Sequence, residues 1–545
     1  MNLATDATEE GDFIGKTSSP ERSPNDTNNF TCWIKDGIVL SPFDFISADH
    51  INGSITVGIV QEITALSDAQ SHLSNYLSSD FGNPAAEPQA DRLASTIAQV
   101  AVLKNTGEPE IRMPLPSDRK VRFSTADEIQ LALGASEIVG QRVPAGIINQ
   151  TNGINVPITI DSAYLLGPEG AHINASGISG LATKTSYLMF LMAGIQQTFG
   201  DDVGFIIFNV KQADLLSIDQ PADDMTPDDL AMYESLGISP LPFRNVTYFL
   251  PRGNRGIPNS DMTPTSHHVY CYELSDVPDR LDLLFADTPD PYFTLDTFVQ
   301  RVRDDWQNGQ LIIQARGRGA AAPITVRNWS DLSTVQHDVL TNAYNLHATT
   351  TPRIMRELRR LTASPLFPNH RTNNEEYLGE AVRHISPGQI FVIDINRVPS
   401  RTQPFVVGDV MKSIDDVYRQ NSSSLPRKIV IFVDELNSIV PSGSSSAIAE
   451  QIVEIARKGR SRGTILFGAE QFKSEVHEQV AGNSSIHAIG RTGSSEIRKS
   501  AYSFLDDGAK HTIMTLGKGS IVLSSPTWRN AIRMSFPRPP YRKPR

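Results

Sequence analysis

The chain has 545 residues, which is enough for about three or four domains of ordinary size or for one large α/β core with insertions. Its composition, 39% hydrophobic and 20% charged, is that of a folded globular protein and excludes collagen-like, rod-like coiled-coil and largely disordered chains. The formal net charge of −12 argues against a surface coated with positive charge for binding nucleic acid, but it leaves room for a small basic lining inside an acidic body.

Targeting and redox features favour a cytoplasmic protein. The segment MNLATDATEEGDF lacks the basic and apolar regions of a secretory signal, and no run of about eighteen apolar residues occurs, so we expect no membrane contact. The two cysteines, Cys32 and Cys271, have no Cys or His spacing typical of a zinc site. Neither a disulfide framework nor a structural metal is therefore expected.

Short strand-like runs separated by turns occupy the N-terminal region. The runs FIGKT, FTCWI and ITVGIVQEI are broken by SSPERSPNDTNN and by Gly37, Gly53 and Gly58. This pattern is typical of a small β-barrel or a sandwich. We assign residues 1–155 to this module, including a loop rich in Pro, Ala and acidic residues at 78–91.

Beyond residue 155, apolar strands alternate with longer helical segments. The runs are apolar without strict alternation, which indicates strands covered on both faces of a mostly parallel sheet. They are AHINAS, FIIFNV, VTYFL, HHVYCYEL, QIFVIDI, KIVIFVDEL, TILFGAEQ, SIHAIGRT and SIVLSS. Residues 156–545 are predicted to form a doubly wound α/β domain, with a helical insertion at about 330–385 and a basic, Pro-rich tail at 538–545.

The segment HINASGISGLATKTS joins a strand, a loop of small residues and the start of an apolar helix. Such a loop cradles nucleotide phosphates, because its backbone N–H groups and the helix N-terminus attract the anion. A lysine then reaches the β and γ phosphates and a Thr hydroxyl binds Mg²⁺, and here those roles fall to Lys184 and Thr185. The other predicted nucleotide-binding residues are Gly177, Ser179, Gly180, Thr183 and Ser186.

The spacing of this loop departs from the standard pattern, in which glycines stand six places before the lysine and immediately before it. Those positions hold Ile178 and Thr183, so the loop must be lengthened or shifted. Taken alone, the segment is equally consistent with an ordinary turn between a strand and a helix.

A pair of acidic residues follows the apolar strand KIVIFVDEL. In a nucleotide-hydrolysing site Asp434 would hold Mg²⁺ through its water shell, and Glu435 would orient and deprotonate the attacking water. The next strand, TILFGAEQ, ends in Gln471, which is placed to touch a γ-phosphate or its water. The alternatives are acids at a helix N-terminus for the pair and a simple strand-to-loop turn for Gln471.

The chain resembles the HerA group of HerA/FtsK-type P-loop ATPases in the segments SGISGLATKTS, FIIFNVKQADLL, IVIFVDELNSIVPSG and IARKGRSRGTILFGAEQF and in its barrel-like N-terminal region. The likeness covers nearly the whole chain. It implies an α/β fold with a RecA-like P-loop ATPase core of the additional-strand catalytic glutamate class, an N-terminal small β-barrel and a helical insertion. It also implies ATP and Mg²⁺ as cofactors and a homohexameric ring that moves double-stranded DNA through its channel.

The resemblance also implies a nuclease or another effector protein docked on the barrel side, in DNA end processing or antiviral defence. A ring follows as well from a head-to-tail interface that repeats until it closes. Sites between subunits then need a neighbour's arginine, which can be worth about 10³ to 10⁵ in rate. The candidates are Arg457, Arg460, Arg462 and Arg491, and the alternative for each is a solvated charge.

Contacts with DNA should be few and local, because the total charge is acidic. The candidates for contacting the phosphate backbone without reading bases are Ser442, Gly443, Ser444 and Lys458. Two other functions stay open. One is a nucleotide-dependent ring scaffold that assembles and activates a separate effector enzyme, and the other is a protein-moving ATPase on the same core.

Overall fold

The computed structural model describes residues 13–78, 80–85, 93–178, 183–286, 288, 294–314, 322–419 and 425–543. Ser179 and Gly180 of the predicted phosphate loop, and part of the predicted loop at 78–91, lie outside the described residues. The chain divides into two compact units. The first comprises Met1–Asp161 and Ile489–Phe536, and the second comprises Ser162–Ala488 and Pro537–Arg545.

The first unit begins with a closed barrel of antiparallel strands. The strands are β1 (Phe13–Ser18), β2 (Asn29–Ile34), β3 (Phe45–Asp49), β4 (Ile55–Ser67), β5 (Ala94–Asn105) and β6 (Lys120–Phe123), in the spatial order β1-β2-β5-β4-β3-β6. Alternate residues of β2, Phe30, Cys32 and Ile34, are buried, because successive side chains of a strand face opposite sides. The prediction of a small N-terminal β-barrel is confirmed, and the sandwich alternative is excluded.

Two short helices and a hairpin complete the N-terminal part of this unit. They are α1 (His72–Ser78), α2 (Ala126–Ala132), β7 (Arg142–Asn149) and β8 (Asn155–Asp161). Helix α2 starts with a capping box, in which the Thr125 hydroxyl accepts from the N–H of Glu128 and the Glu128 carboxylate accepts from the N–H of Thr125. This reciprocal pair explains why the helix begins directly after the barrel ends.

The core of the second unit is a large sheet. Its strands are β9 (Ile173–Ser176), β10 (Val203–Asn209), β11 (Val246–Pro251), β12 (His268–Tyr270), β16 (Glu375–Glu376), β17 (Ile390–Asp394), β18 (Lys428–Asp434), β19 (Thr464–Glu470) and β20 (Ile486–Ile489). A small separate sheet contains β13 (Trp306–Gln307), β14 (Gln310–Ile313) and β15 (Ile324–Val326). The large sheet has the order β16-β12-β11-β17-β10-β18-β19-β9-β20. Every pairing from β16 to β9 is parallel.

The strand order decides the fold class. Strand β19 lies between β9, which leads into the phosphate-loop segment, and β18, which ends at Asp434. One strand therefore separates the two halves of the predicted site, as the additional-strand class requires. The predicted α/β fold, with this core and an N-terminal barrel, is confirmed. Because parallel strands end at one edge of the sheet, that edge is where a ligand crevice is expected.

Helices cover the sheet and explain its apolar strands. All residues of β10 and β19 are buried, which matches their runs of consecutive apolar residues. The helices are α3 (Ser162–Leu165), α4 (Thr183–Phe199), α5 (Pro227–Ser235), α6 (Leu281–Leu284), α7 (Leu295–Asp304), α8 (Trp329–Thr334), α9 (His337–Tyr344), α10 (Thr350–Thr362), α11 (Leu378–Ala381), α12 (Gln403–Arg419), α13 (Leu436–Ile439), α14 (Ala447–Arg462) and α15 (Glu478–Asn483). No helix among these and the other described residues is long and apolar enough to cross a membrane.

Helices α8 to α11 lie in the region predicted as a helical insertion. Helix α10 buries Ile354, Leu358 and Leu361, which are spaced as one face of a helix. The antiparallel sheet β13-β14-β15 precedes these helices and was not predicted. Its strands have only two to four residues, which is too short to show a period in the sequence.

The chain returns to the first unit after β20, which differs from the predicted assignment of all of 156–545 to the ATPase domain. The returning elements are α16 (Ser494–Ile497), α17 (Asp507–Thr515), β21 (Ser520–Ser524) and β22 (Ile532–Ser535). Strand β21 pairs antiparallel with β22, and β22 pairs antiparallel with β7 through Ser535 and Ile147. Pairing between such distant segments leaves no local pattern, so the sequence did not reveal it.

The last described residues, 537–543, belong to the second unit. Tyr541 is buried and forms a β-bridge with Pro221, and the N–H of Arg542 donates to the carbonyl of Gln220 at 2.9 Å. Arg538 pairs with Asp224 at 3.1 Å. This part of the tail is therefore packed against its own chain.

Candidate nucleotide-binding site

The phosphate-loop candidate starts where β9 ends. Gly177 has φ +155°, a backbone conformation that residues with side chains rarely adopt. Its N–H donates to the carbonyl oxygen of Glu470, the last residue of β19, at 3.2 Å. Residues 179–182 of the loop are outside the described part of the chain. The described end of the loop thus leaves the sheet between β9 and its neighbour β19.

The next described residue is Thr183, the first residue of helix α4. Lys184, Thr185 and Ser186 therefore occupy its first turn, where backbone N–H groups have no partner within the helix. The side chains of Thr183 and Lys184 are buried. A helix N-terminus with these N–H groups attracts anions, so the first turn of α4 is suited to phosphate.

The acidic pair lies at the end of β18. Glu435 follows the strand with φ +52° and forms the N-cap of α13. Its N–H donates to Asp434 Oδ1 at 2.9 Å, and its carbonyl accepts from the N–H of Ser438 at 2.8 Å. A residue other than glycine in this left-handed region costs on the order of 1–3 kcal/mol, and such residues concentrate at functional sites.

The structure brings the first turn of α4 and the acidic pair together. Lys184 Nζ lies 3.0 Å from Glu435 Oε1 and 3.8 Å from Asp434 Oδ1. The Thr185 hydroxyl donates to Asp434 Oδ2 at 3.1 Å. The side chains of Lys184 and Asp434 are only 4% and 7% exposed, so little water screens their charges. Four residues predicted from two distant segments thus share one site.

Thr185 and Asp434 fit a magnesium ion. Mg²⁺ in nucleotide sites is held by one or two protein oxygens, by waters and by phosphates, and a Thr hydroxyl next to an Asp carboxylate supplies such oxygens. No group of three or more His, Cys, Asp or Glu side chains suited to a metal occurs among the residues that the structure describes. Thr185 and Asp434 are therefore candidates for holding Mg²⁺ together with phosphates and waters.

Lys211 contacts the same carboxylates and was not singled out from the sequence. It lies just beyond β10, the strand that pairs with β18 on the side away from β19. Its Nζ donates a short hydrogen bond to Glu435 Oε1 and lies 3.7 Å from Asp434 Oδ2. The sequence signal for Lys211 was its position just after an apolar strand, because residues that follow neighbouring parallel strands meet at one edge of the sheet.

The two lysines stabilise the charged form of Glu435. Burial alone would raise its pKa, but the hydrogen bonds and charges of Lys211 and Lys184 outweigh burial and hold the pKa of Glu435 below its usual value. Burial likewise opposes the charge of Lys211, and the Asp434 and Glu435 carboxylates raise the pKa of Lys211 above its usual value. Glu435 and Lys211 therefore both stay charged near neutral pH.

Glu470 is a second residue that sequence reasoning missed. It ends β19, and its side chain is fully buried. Burial raises the pKa of Glu470 to about 8, against the opposing charges of Lys473 and Lys184. The predicted sensor Gln471 is the next residue and is half-buried. The signal for Glu470 was present in TILFGAEQ, where an acid ends an otherwise apolar strand.

The candidate arginines differ in their partners. Arg460 donates to the carbonyl of Glu169 at 2.9 Å, and Arg462 pairs with Asp415 at 2.7 Å. Arg457 lies on the exposed side of α14, and the structure gives it no ion pair or hydrogen bond with any described residue. Arg491 belongs to the first unit, where it donates to the carbonyl of Met514 at 3.1 Å.

The C-terminal segment reaches the phosphate-loop helix. Lys543 Nζ donates to the hydroxyl of Ser186 at 2.8 Å. Burial lowers the pKa of Lys543, although the nearby Asp214 carboxylate acts in the opposite direction. The same carboxylate is influenced by Lys211, so a chain of charges links the C-terminal segment to the acidic pair.

The predicted DNA contacts lie on two elements of the second unit. In the loop after α13, the N–H of Ser442 donates to the carbonyl of Glu475 at 2.7 Å, and Gly443 has φ +71°. Ser444 precedes the N-cap of α14. Lys458 is exposed on α14 and pairs with Glu454 at 3.2 Å. These positions are accessible, and their role stays a prediction.

Comparison with known proteins gives solved structures only, since no family model and no curated protein matches the chain. The bacterial conjugative coupling protein TrwB is 11% identical, with 75% of this chain and 94% of that chain covered and a TM-score of 0.43. VirB4 of Thermoanaerobacter pseudethanolicus is 12% identical over 73% and 96%, with a TM-score of 0.43. TrwB in complex with ADP and Mg²⁺ is 12% identical over 68% and 86%, with a TM-score of 0.40. Because these scores lie below 0.5, the fold assignment rests on the strand order.

Proposed function

We propose that this protein is a Mg²⁺-dependent ATPase that works as a ring-shaped motor on double-stranded DNA. The observation that carries the ATPase part is the convergence of Lys184 and Thr185 with Asp434 and Glu435 at the end of parallel strands. The two pairs come from distant segments, and one strand separates their strands in the sheet. A buried ion pair alone could have a purely structural role. The Thr185 hydroxyl on the Asp434 carboxylate is the additional feature that a magnesium site requires.

Each site residue has a role in this proposal. Lys184 binds the β and γ phosphates, and Ser186 and Thr183 contribute the first turn of α4. Mg²⁺, held by Thr185 and Asp434, neutralises phosphate charge when bound. Glu435 orients the attacking water and takes its proton. The remaining proposed contacts are made by Gln471 to the γ-phosphate and by Gly177, Ser179 and Gly180 to the phosphates.

The motor part rests on the resemblance to the HerA group, which implies a hexameric ring around duplex DNA. A ring places an arginine of one subunit near the nucleotide of the next. Among the candidates, Arg457 supports this role best, because Arg460 and Arg462 are held by partners within the chain. A nuclease or another effector docked on the barrel is the remaining part of the proposal, in DNA end processing or antiviral defence.

A ring scaffold that activates a separate effector is the second candidate. The observation that favours it is the position of Lys184, which both carboxylates hold in an ion pair. A nucleotide must compete with these carboxylates for the lysine, and this favours slow turnover. In a scaffold, nucleotide would serve mainly to hold the subunits together.

The deciding experiment measures ATP hydrolysis by size-fractionated protein with and without linear duplex DNA. We expect Mg²⁺-dependent hydrolysis that DNA accelerates, and Glu435→Gln should lower turnover by about 10²-fold or more while the protein still binds ATP and keeps its oligomeric state. Turnover and binding that duplex DNA leaves unchanged would exclude the motor. If assembly then depends on nucleotide, the scaffold is the correct function, and failure to bind ATP excludes both.

A further inference from the structure

A second cation that contacts Glu435 lies outside the phosphate loop. Lys211 Nζ donates a short hydrogen bond to Glu435 Oε1, the oxygen from which Lys184 Nζ lies 3.0 Å. The structure therefore places two ammonium groups on one carboxylate oxygen. Both ammonium groups also lie within 4 Å of the Asp434 carboxylate, so the cluster pairs two cations with two carboxylates.

The two lysines approach from opposite sides of β18. Lys211 follows β10, whose Phe208 is in register with Val433 of β18. Lys184 follows β9, which is separated from β18 by β19. A nucleotide bound at the first turn of α4 would engage Lys184, whereas Lys211, which follows β10, would keep its contact with Glu435. Lys211 is thus the cation that remains available to Glu435.

Glu435 needs such a contact to keep its carboxylate in one place. Its backbone is fixed in the left-handed region by the hydrogen bonds to Asp434 and Ser438, but its side chain can adopt several staggered rotamers. A group that must hold a water in line with a phosphate loses rate when it is misplaced by about 1 Å. The backbone fixes one end of Glu435, and Lys211 fixes the other.

We propose that Lys211 is a positioning residue for hydrolysis, which holds the carboxylate of Glu435 at the end of β18 when Lys184 is engaged with phosphate. The inference deepens the proposed function and rests on it. Lys211 acts through Glu435, because the groups that its ammonium contacts are the two carboxylates. It therefore affects the rate of hydrolysis more than the binding of ATP.

The kinetic test compares Lys211→Met with Lys211→Arg, and Lys499→Met is the matched control. Lys499 pairs with Glu496 at 3.0 Å in the first unit and has no place in the site. We expect Lys211→Met to lower kcat by about tenfold, part of the 10²–10⁴-fold typical of a general base, with KM for ATP within about threefold. Lys211→Arg keeps the charge and retains most of kcat, and the control is unchanged. An unchanged kcat for Lys211→Met, or a raised KM at constant kcat, overturns the proposal.

A second test needs no nucleotide. Urea unfolding midpoints are measured for the wild type, Lys211→Met, Glu435→Gln and the double variant without ATP. Lys211→Met should lower the midpoint in the wild type, because it removes a partner of a half-buried carboxylate. In the Glu435→Gln protein the same change should lower it less or raise it, because it then removes a repulsion between lysines. Additive shifts would show that the two residues do not interact and would overturn the proposal.

The two tests separate failure of the inference from failure of the proposed function. Wild-type protein that hydrolyses ATP, combined with unchanged kinetics of Lys211→Met, overturns the inference alone. Wild-type protein that neither binds nor hydrolyses ATP overturns both, whatever the unfolding midpoints show. The positioning role of Lys211 is supported if Lys211→Met turns over about tenfold more slowly, Lys211→Arg restores the rate and the unfolding midpoints are non-additive.

Discussion

Individual side chains of the site act through their charges in a largely dry environment. Lys184, Lys211, Asp434 and Glu435 form a compact cluster in which each cation contacts both acids. Removing one partner from such a cluster costs more than the pair contributes, because the remaining charge stays buried. The effect of each substitution therefore depends on which charges it leaves behind.

Glu470 makes the stability of the protein depend on pH. Its folded-state pKa of about 8 lies above the usual value of about 4.5, so between these values the folded chain keeps a proton that the unfolded chain has lost. The free energy of unfolding therefore falls as pH rises through this window, by about 1 kcal/mol per pH unit at most. Glu470→Gln removes this dependence.

We expect Glu470→Gln to gain stability relative to the wild type between pH 5 and pH 8. Urea unfolding at several pH values in this range measures the difference, and Glu475→Gln, at an exposed position, is the control. Parallel stability curves for Glu470→Gln and the wild type would show that the carboxyl group is ionised in the folded protein.

At the scale of elements, the C-terminal segment 537–543 buries one aromatic residue and makes several polar contacts with the second unit. Tyr541 is 2% exposed, and its ring centroid lies 6.0 Å from that of Phe243. Lys543, two residues further along the chain, donates a hydrogen bond to the hydroxyl of Ser186 on α4. The segment therefore positions a positive charge beside the phosphate-loop helix only while the tyrosine stays packed.

Tyr541→Ala should release this segment. Truncating a buried aromatic residue costs about 3 kcal/mol or more, so the C-terminus should become accessible to protease at conditions in which the wild type resists. Limited proteolysis followed by mass spectrometry of the C-terminal peptide tests this. Arg542→Ala is the control, since the Arg542 side chain is 50% exposed. Equal protection of Tyr541→Ala and the wild type would contradict the packing described.

Features that depend on local sequence could be predicted, whereas contacts between distant segments of the chain could not. The strands β9, β10, β18 and β19 were predicted because apolar runs are local, and the site residues around Lys184 and Asp434 were predicted because each pair sits in a short motif. Lys211 and Glu470 have no motif, and only the strand order places them at the site. The pairing of β22 with β7 was missed for the same reason, since it joins the two ends of the chain.

At the scale of the whole molecule, the proposed ring makes each active site depend on two subunits. Arg457 is exposed and has no partner among the described residues of its own chain, whereas Arg460 is held by Glu169. Arg457→Ala should therefore lower ATP hydrolysis by about 10³-fold, and Arg460→Ala much less.

Mixing inactive variants tests whether Arg457 acts between subunits. In a ring assembled from equal amounts of Arg457→Ala and Glu435→Gln protein, about a quarter of the interfaces combine an intact Glu435 with an intact Arg457. Activity should recover toward that fraction of the wild-type rate after unfolding and reassembly of the mixture. No recovery would indicate that the arginine acts within its own subunit, and an active Arg457→Ala protein before mixing would show that it has no catalytic role.

The first unit is built from the two ends of the chain, and this has a consequence for synthesis on the ribosome. Strand β22 is translated hundreds of residues after β7, which at about 5–20 residues per second leaves β7 without this partner for roughly 20 to 75 s. During that time the unpaired edge of β7 is open to other nascent chains. Polypeptides that terminate before β22 lack this strand altogether, so premature stop codons within residues 162–488 should yield products that aggregate instead of partly functional ATPase fragments.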